Sequence, residues 1–246
     1  MKNLLLPLTL LTALPASAAL TLVEDFDALT PGAIDAQNGW TSNHSSYVVA
    51  GTGDQHLSSG NNTTVTGASK TATIADGATG TLFLQFKTDN LAARTSFGLG
   101  SGGLGDFNNF YAQLAFTGAG DFAVRDGANT NAFNNVTIAT GTWYNLWIVA
   151  NNATDSFEAY IQGGDITTQT KLTTAGADDS FGFRNSSGDI TDVRVMAATS
   201  ANGNEMEFDN IYIDSTAENL VNPVPEPSTS MLTALALGAM VLRRRR

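Results

Sequence analysis

Residues 19–222 predict an all-β protein, folded as an antiparallel β-sandwich. Three observations point there. About a dozen short apolar or alternating runs follow one another at loop spacing, separated by Gly, Asn, Asp and Ser. No stretch of the body carries a convincing 3.6-residue period. A long apolar run in the middle of the chain turns back on itself through an Asn-rich segment, as a hairpin does.

The elements follow in order. Leu20 to Phe26 alternates, and Pro31-Gly32 closes the excursion after it. Asn38-Gly39-Trp40 is a turn followed by a buried aromatic. Tyr47 to Ala50 is a short strand, and the Gly- and Ser-rich stretch from Gly51 to Gly67 holds only short pieces such as Thr63 to Thr66. Lys70 to Ile74 is another short strand. Thr81 to Lys87 is the clearest early one, with Leu82, Leu84 and Phe86 on one face and Gln85 and Lys87 on the other. Thr95 to Leu99 and Phe110 to Phe116 flank a glycine-rich loop, Gly100 to Gly105; Asp121 to Arg125 and Asn135 to Ala139 are shorter. Thr142 to Ala150 and Ser156 to Ile161 form the central hairpin. Its first strand is apolar on both faces, Trp147 and Val149 against Leu146 and Ile148, which predicts a central position covered on both sides. Thr167 to Leu172, Asp179 to Arg184, Asp189 to Met196 and Met206 to Asp214 complete the set.

Both ends lie outside this domain. Met1-Lys2-Asn3, an apolar run from Leu4 to Pro15 and Ala16-Ser17-Ala18 have the three parts of a secretory signal peptide, so residues 1–18 are expected to be removed. At the other end, Pro223-Val224-Pro225-Glu226-Pro227 keeps the chain extended. Ser228 to Leu242 then carries no charge and favours a helix. At about 1.5 Å per residue it reaches roughly 22 Å, short of a hydrocarbon core of about 30 Å but able to span a thinned bilayer. Arg243, Arg244, Arg245 and Arg246 would hold the last turn on the cytoplasmic side. The domain itself would then lie across the inner membrane.

Composition narrows the function classes. Five of the 12 Lys and Arg, and one of the 23 Asp and Glu, fall outside residues 19–222, which leaves a body charge near −15. Such a surface argues against nucleic acid and anionic membrane as partners, since both need clustered basic residues. There is no cysteine, so a disulfide scaffold, a thiolate metal site and a Cys nucleophile are excluded.

Two resemblances follow from these residues. Pro225-Glu226-Pro227, a short membrane helix and the terminal arginines together resemble a PEP-CTERM sorting tail, spanning residues 223–246. The resemblance implies a Gram-negative source, processing by an exosortase-type enzyme, a transient anchor in the inner membrane and a final place at the cell surface or in an extracellular biofilm matrix. The body resembles concanavalin A-like, laminin-G-like jelly rolls through Glu24-Asp25-Phe26, Asn38-Gly39-Trp40, Gly141-Thr142-Trp143-Tyr144, Tyr160-Ile161 and Phe208-Asp209-Asn210-Ile211. That resemblance implies neighbouring first and last strands, and relatives that bind carbohydrate or hydrolyse it.

Candidate chemistry is sparse. Glu205, Glu207 and Asp209 alternate along one strand, about 6.8 Å apart, as the carboxylates of laminarinase-like hydrolases do. The apolar parity flips between Phe208 and Ile211, which predicts a bulge or a strand end, and the stretch reads better as a solvated edge than as a catalytic face. No catalytic residue is therefore assigned. Sugar rings stack on aromatics beside amide groups, so Phe107, Asn109 and Tyr111, after the glycine loop, are the candidate polysaccharide-binding residues. With neighbouring terminal strands, Glu24, Asp25 and Asp209 are a candidate structural Ca²⁺ site of oxygen ligands. His44 and His56 sit in polar loop sequence without zinc-ligand spacing.

Overall fold

The computed structural model describes residues 19–60, 64–185, 188–198 and 205–224. The signal peptide, Pro225-Glu226-Pro227 and Arg243 to Arg246 lie outside the described residues. In chain order the strands are β1 (Thr21–Glu24), β2 (Gly32–Ala33), β3 (Trp40–Ser42), β4 (Val48–Ala50), β5 (His56–Ser58), β6 (Thr66–Ile74), β7 (Thr79–Thr88) and β8 (Thr95–Gly100). After a 3-10 turn, Phe107–Asn109, come β9 (Phe110–Phe116), β10 (Phe122–Asp126), β11 (Asn129–Ala132), β12 (Tyr144–Asn151) and β13 (Ser156–Gly163). The last are β14 (Ile166–Lys171), β15 (Phe181–Gly182), β16 (Ile190–Ala197) and β17 (Met206–Asp214).

They form two layers, and the all-β sandwich expected from the sequence is the observed fold. A ten-stranded sheet runs β14-β13-β12-β7-β17-β5-β4-β2, with β1 added on β17 and β15 on β13; a seven-stranded sheet runs β11-β10-β9-β8-β16-β6-β3. Alternation sets what lies between them. Leu82, Leu84 and Phe86 of β7 face the core with Tyr144, Leu146 and Ile148 of β12, opposite Phe97, Leu99 and Leu114 of the other sheet. Phe86 is the hub of the aromatic packing, 5.6 Å from Tyr144, 5.3 Å from Phe97 and 5.7 Å from Phe122. Full burial of each such ring stabilises the fold by about 1.5–3 kcal/mol.

The outward residues of β7 and β12 explain the doubly apolar central strand. Phe83 and Trp147 point away from the core yet are fully buried. The segment after β17 crosses over them: Trp147 Nε1 donates to the Val221 carbonyl at 3.0 Å, and Gln169 Nε2 to Leu220 at 3.0 Å. Thr81 Oγ1 donates to the Ala217 carbonyl and accepts from the Asn219 amide.

Two strand expectations are corrected. β17 is an interior strand between β7 and β5, not a solvated edge; the C-terminal run pairs with the most apolar strand of the sheet, and its acidic residues lie on the outward face. Residues 135–139 are not a strand. Asn135 instead accepts from the Thr173 amide and donates to the Lys171 carbonyl, a side-chain alternative to ladder pairing. The strand at this edge is β11, joined to β10 through the Asp126-Gly127 turn with Gly127 at φ 53°. The expected neighbourhood of first and last strands is present: β1 pairs with β17, and β17 shifts register between Asp209 and Tyr212, with Asn210 at φ 49°.

Glu24 closes the sandwich at this end. It is 4% exposed, on β1 of the ten-stranded sheet. Its carboxylate accepts from Lys70 Nζ at 2.8 Å, Asn38 Nδ2 at 3.0 Å, Trp40 Nε1 at 3.1 Å and the Phe26 amide at 3.3 Å. Lys70 and Trp40 belong to the seven-stranded sheet, so one carboxylate ties the layers together. Glu24→Ala should destabilise residues 19–224 by about 3–5 kcal/mol in urea, the usual result of stranding one half of a buried ion pair. Lys70→Met should cost clearly less, because Glu24 keeps three donors. A loss under about 1 kcal/mol for Glu24→Ala would contradict this role.

Candidate functional site

The outer face of the seven-stranded sheet carries an open pocket of about 350 Å³. Its floor comes from the outward residues of three adjacent strands: Ser96 of β8, Gln113 and Ala115 of β9, and Arg125 of β10. A bulge in β9 between Gln113 and Phe110, opposite Gly98 and Gly100, borders that floor. Gly98 has φ 140°, and a Cβ there would collide with the Ala112 carbonyl. Arg94, Phe107, Thr117-Gly118, Thr130, Arg184 and Ala198 form the walls.

A polar relay fixes the cationic groups. Gln113, 3% exposed, donates from Nε2 to Ser96 Oγ at 2.8 Å and accepts from Arg184 Nη1 at 2.8 Å. Arg184 Nη2 donates to Asn108 Oδ1 at 3.1 Å, and its backbone amide to the Tyr111 carbonyl. Its guanidinium lies over the Phe107 ring, 5.8 Å from the centroid. Arg125 Nη1 donates to Thr130 Oγ1 at 2.6 Å, while its Nε is buried with no hydrogen-bond partner among the described residues. Burial and then the Arg125 charge lower the Arg184 pKa, with Asp106 opposing. Among the described residues no acidic one lines the pocket.

The structure divides the candidate sugar-binding trio. Phe107 lines the pocket, stacked near Phe110 at 6.4 Å and supporting Arg184. Asn109 spends its amide on the loop, donating from Nδ2 to the Gly103 carbonyl at 2.7 Å. Tyr111 is 2% exposed and packs on Phe183 at 5.7 Å, so no stacking face is available there. The β9 bulge accounts for the difference, because it turns Tyr111 inward. The arginines and Gln113 went unread in the sequence. The signal was present: Arg94, Arg125 and Arg184 are three of only seven basic residues in the acidic body.

The acidic candidates sit on the opposite layer. Glu207 pairs with Lys87 at 2.6 Å and with His56 at 3.3 Å, and Lys87 lies over Trp143. Asp209 is buried; desolvation, and then Asp54, Asp27 and Asp25, raise its pKa to about 7 against the Asn210 amide bond. The expected calcium set does not assemble, because the Glu24 carboxylate is already filled by an ammonium and three N–H donors. The carbonyls of Phe26, Asp27 and Leu29 accept from Gln55 Nε2. Among the described residues no three acidic or histidine side chains are placed to hold a metal ion.

Comparison with known proteins decides the C-terminus. Residues 223–246 match the PEP-CTERM protein-sorting motif. This motif implies export and membrane-anchored sorting in bacteria. Among the described residues no helix is long and apolar enough to cross a membrane. No curated protein matches the chain by sequence. Solved structures share the fold. A sialidase superposes at TM-score 0.54 and 13% identity, over 80% of this chain but only 18% of its own. Lectin II from Ulex europaeus superposes at 0.52 and 11%, over 76% of this chain and 96% of the lectin. The exoplasmic/lumenal domain of VIP36, in a Ca²⁺/Man3GlcNAc-bound form, superposes at 0.50 and 10%, over 76% and 90%. The sandwich is thus of the lectin-like, concanavalin A-like kind.

Asp209 predicts a pH dependence. Its folded pKa, about 7, lies above the ordinary 3.8. The stability it contributes is fully present below about pH 4 and is lost as pH rises through 7. Asp209→Asn should therefore melt higher than the parent at pH 8 and close to it at pH 4. An equal difference at both values would show that the carboxyl does not titrate in this range.

Proposed function

We propose that the chain is an exported, exosortase-processed lectin-like module of the cell surface or extracellular matrix, which binds polysaccharide and does not hydrolyse it. The observation that carries this reading is the pocket itself. It is concave, half-walled by Phe107, Ala115 and Phe116, and fitted with convergent hydrogen-bonding groups from Ser96, Thr130 and three arginines. The lectin-like sandwich supports it at the level of fold. Against hydrolysis stand two facts of placement. Among the described residues no carboxylate lines the pocket, whereas a glycosidase needs a pair flanking the scissile bond. Glu207 lies on the other layer, engaged by Lys87 and His56.

A panel of soluble polysaccharides, offered to the purified protein, tests both halves. Retention that falls about ten-fold in Phe107→Ala, with no reducing sugar released, is the expected result. Release that disappears in Glu205→Gln or Glu207→Gln would establish the laminarinase-like alternative instead. Sorting is tested on protein recovered from the producing cells. Its mass should lack Arg243 to Arg246; an intact C-terminus would replace processing by a permanent anchor.

Calcium belongs to the same proposal in a narrower form. A divalent cation near Asp209 would relieve its repulsion from Asp25, Asp27 and Asp54. The pH series above, repeated in excess Ca²⁺, checks this: a slope that Ca²⁺ leaves unchanged removes the metal from the account.

A further inference from the structure

Six of the seven basic residues of the body fall into two groups. Lys70 pairs with Glu24, Lys87 with Glu207, Lys171 with Glu158 and Asp179, and Arg194 with Asp192. Arg125 and Arg184 are different. Among the described residues no carboxylate lies within ion-pair reach of either. Their partners are neutral: Thr130 for Arg125, Gln113 and Asn108 for Arg184. This is unexpected in a chain with 23 acidic residues, where pairing each arginine would cost the sequence little.

The two guanidiniums also face the same pocket, near enough for one charge to act on the other. Like charges brought together and half-buried are unfavourable, and Asp106, the one carboxylate that acts on Arg184, makes no ion pair with it. Residues that break a local rule in this way mark a site at which something else supplies the missing partner. Both arginines line the pocket, and the partner that two such guanidiniums fit is an anion. A guanidinium presents a planar fork of N–H donors that matches the two oxygens of a carboxylate.

We propose that this pocket recognises a carboxylated sugar, a uronic-acid unit within a polysaccharide, whose carboxylate bridges Arg125 and Arg184. The proposal rests on the glycan-binding reading above and names the sugar class for that site. Gln113 is a positioning residue, since it holds Arg184 and Ser96 in one relay. The body's net charge near −15 repels polyanions at long range, so binding of an acidic glycan requires a local cationic site of this kind.

Calorimetry on the full chain in mild detergent decides the matter with four probes. These are oligogalacturonide, the same oligomer after carboxyl reduction, a neutral β-glucan and a sulfated glucan. Oligogalacturonide should bind, and binding should fall about ten-fold or more in Arg125→Gln and in Arg184→Gln. Arg125→Lys, which keeps the charge and loses the fork, should fall part of the way. Lys171→Gln, remote from the pocket, should leave binding unchanged. The carboxyl-reduced oligomer should not bind.

Equal binding of the reduced oligomer or of the neutral glucan would overturn the carboxylate while leaving a glycan-binding protein. Binding of the sulfated glucan alone would overturn it in favour of a sulfate ester. Oligogalacturonide binding untouched by either glutamine variant, each melting like the parent, would move the site elsewhere. If none of the four glycans binds, the glycan-binding reading fails and this inference falls with it.

Discussion

The buried carboxylate of Glu24 is the junction on which this sandwich depends. A single oxygen pair receives an ammonium from one sheet, an indole N–H from the same sheet, a turn amide and a backbone N–H. Removing a charge from water is costly, and it is tolerated only where several donors replace the lost hydration. That condition fixes β1 on β17, holds the Asn38-Gly39-Trp40 turn in place and sets the angle at which β3 and β6 meet the other layer. It also holds Phe26, which sits at φ 61° and stacks on Trp40 at 5.6 Å. Backbone strain of that sort persists only when its surroundings over-determine it.

With the layers fixed, their two outer faces take different roles. The outer face of the ten-stranded sheet is covered where Phe83 and Trp147 lie, by the segment that leads to Pro223. Elsewhere that face carries paired groups, Glu207 with Lys87 and His56, and Gln85 with Asn210 and Asn145. The outer face of the seven-stranded sheet holds the arginine pocket. The chain therefore leaves the domain on one layer and presents its open site on the other. A tether at the C-terminus, before processing, would leave that site exposed on the layer opposite the segment leading to it.

Much of this was legible beforehand, and the failures have physical causes. The shared face of Leu82, Leu84 and Phe86 identified β7, and the doubly apolar Leu146 to Val149 identified β12 and its central position. The parity flip after Phe208 pointed to a bulge or a strand end, and the structure has the bulge. The aromatics near the glycine loop were harder, because alternation assigns faces only where register is continuous. A bulge in β9 moved Tyr111 inward and left Phe107 at the pocket. Arg94, Arg125 and Arg184 are far apart in sequence and meet only through the order β10-β9-β8 and the return from β15. Pairing of strands distant in sequence is what a single chain's periodicity does not encode. The calcium set failed for a related reason: placing Glu24 and Asp209 on neighbouring strands was right, but Lys70 arrives from the other sheet.

On this proposal the arginine-lined pocket, and not the acidic face, is the working surface. A crystal structure of the protein soaked with a short oligouronide tests it most directly. The expected density places a sugar carboxylate within hydrogen-bond distance of the Arg125 and Arg184 guanidiniums, with the ring beside Phe107. Sugar bound instead on the ten-stranded sheet, against Glu207 and Asp209, would contradict the claim and return the acidic residues to the centre of the function.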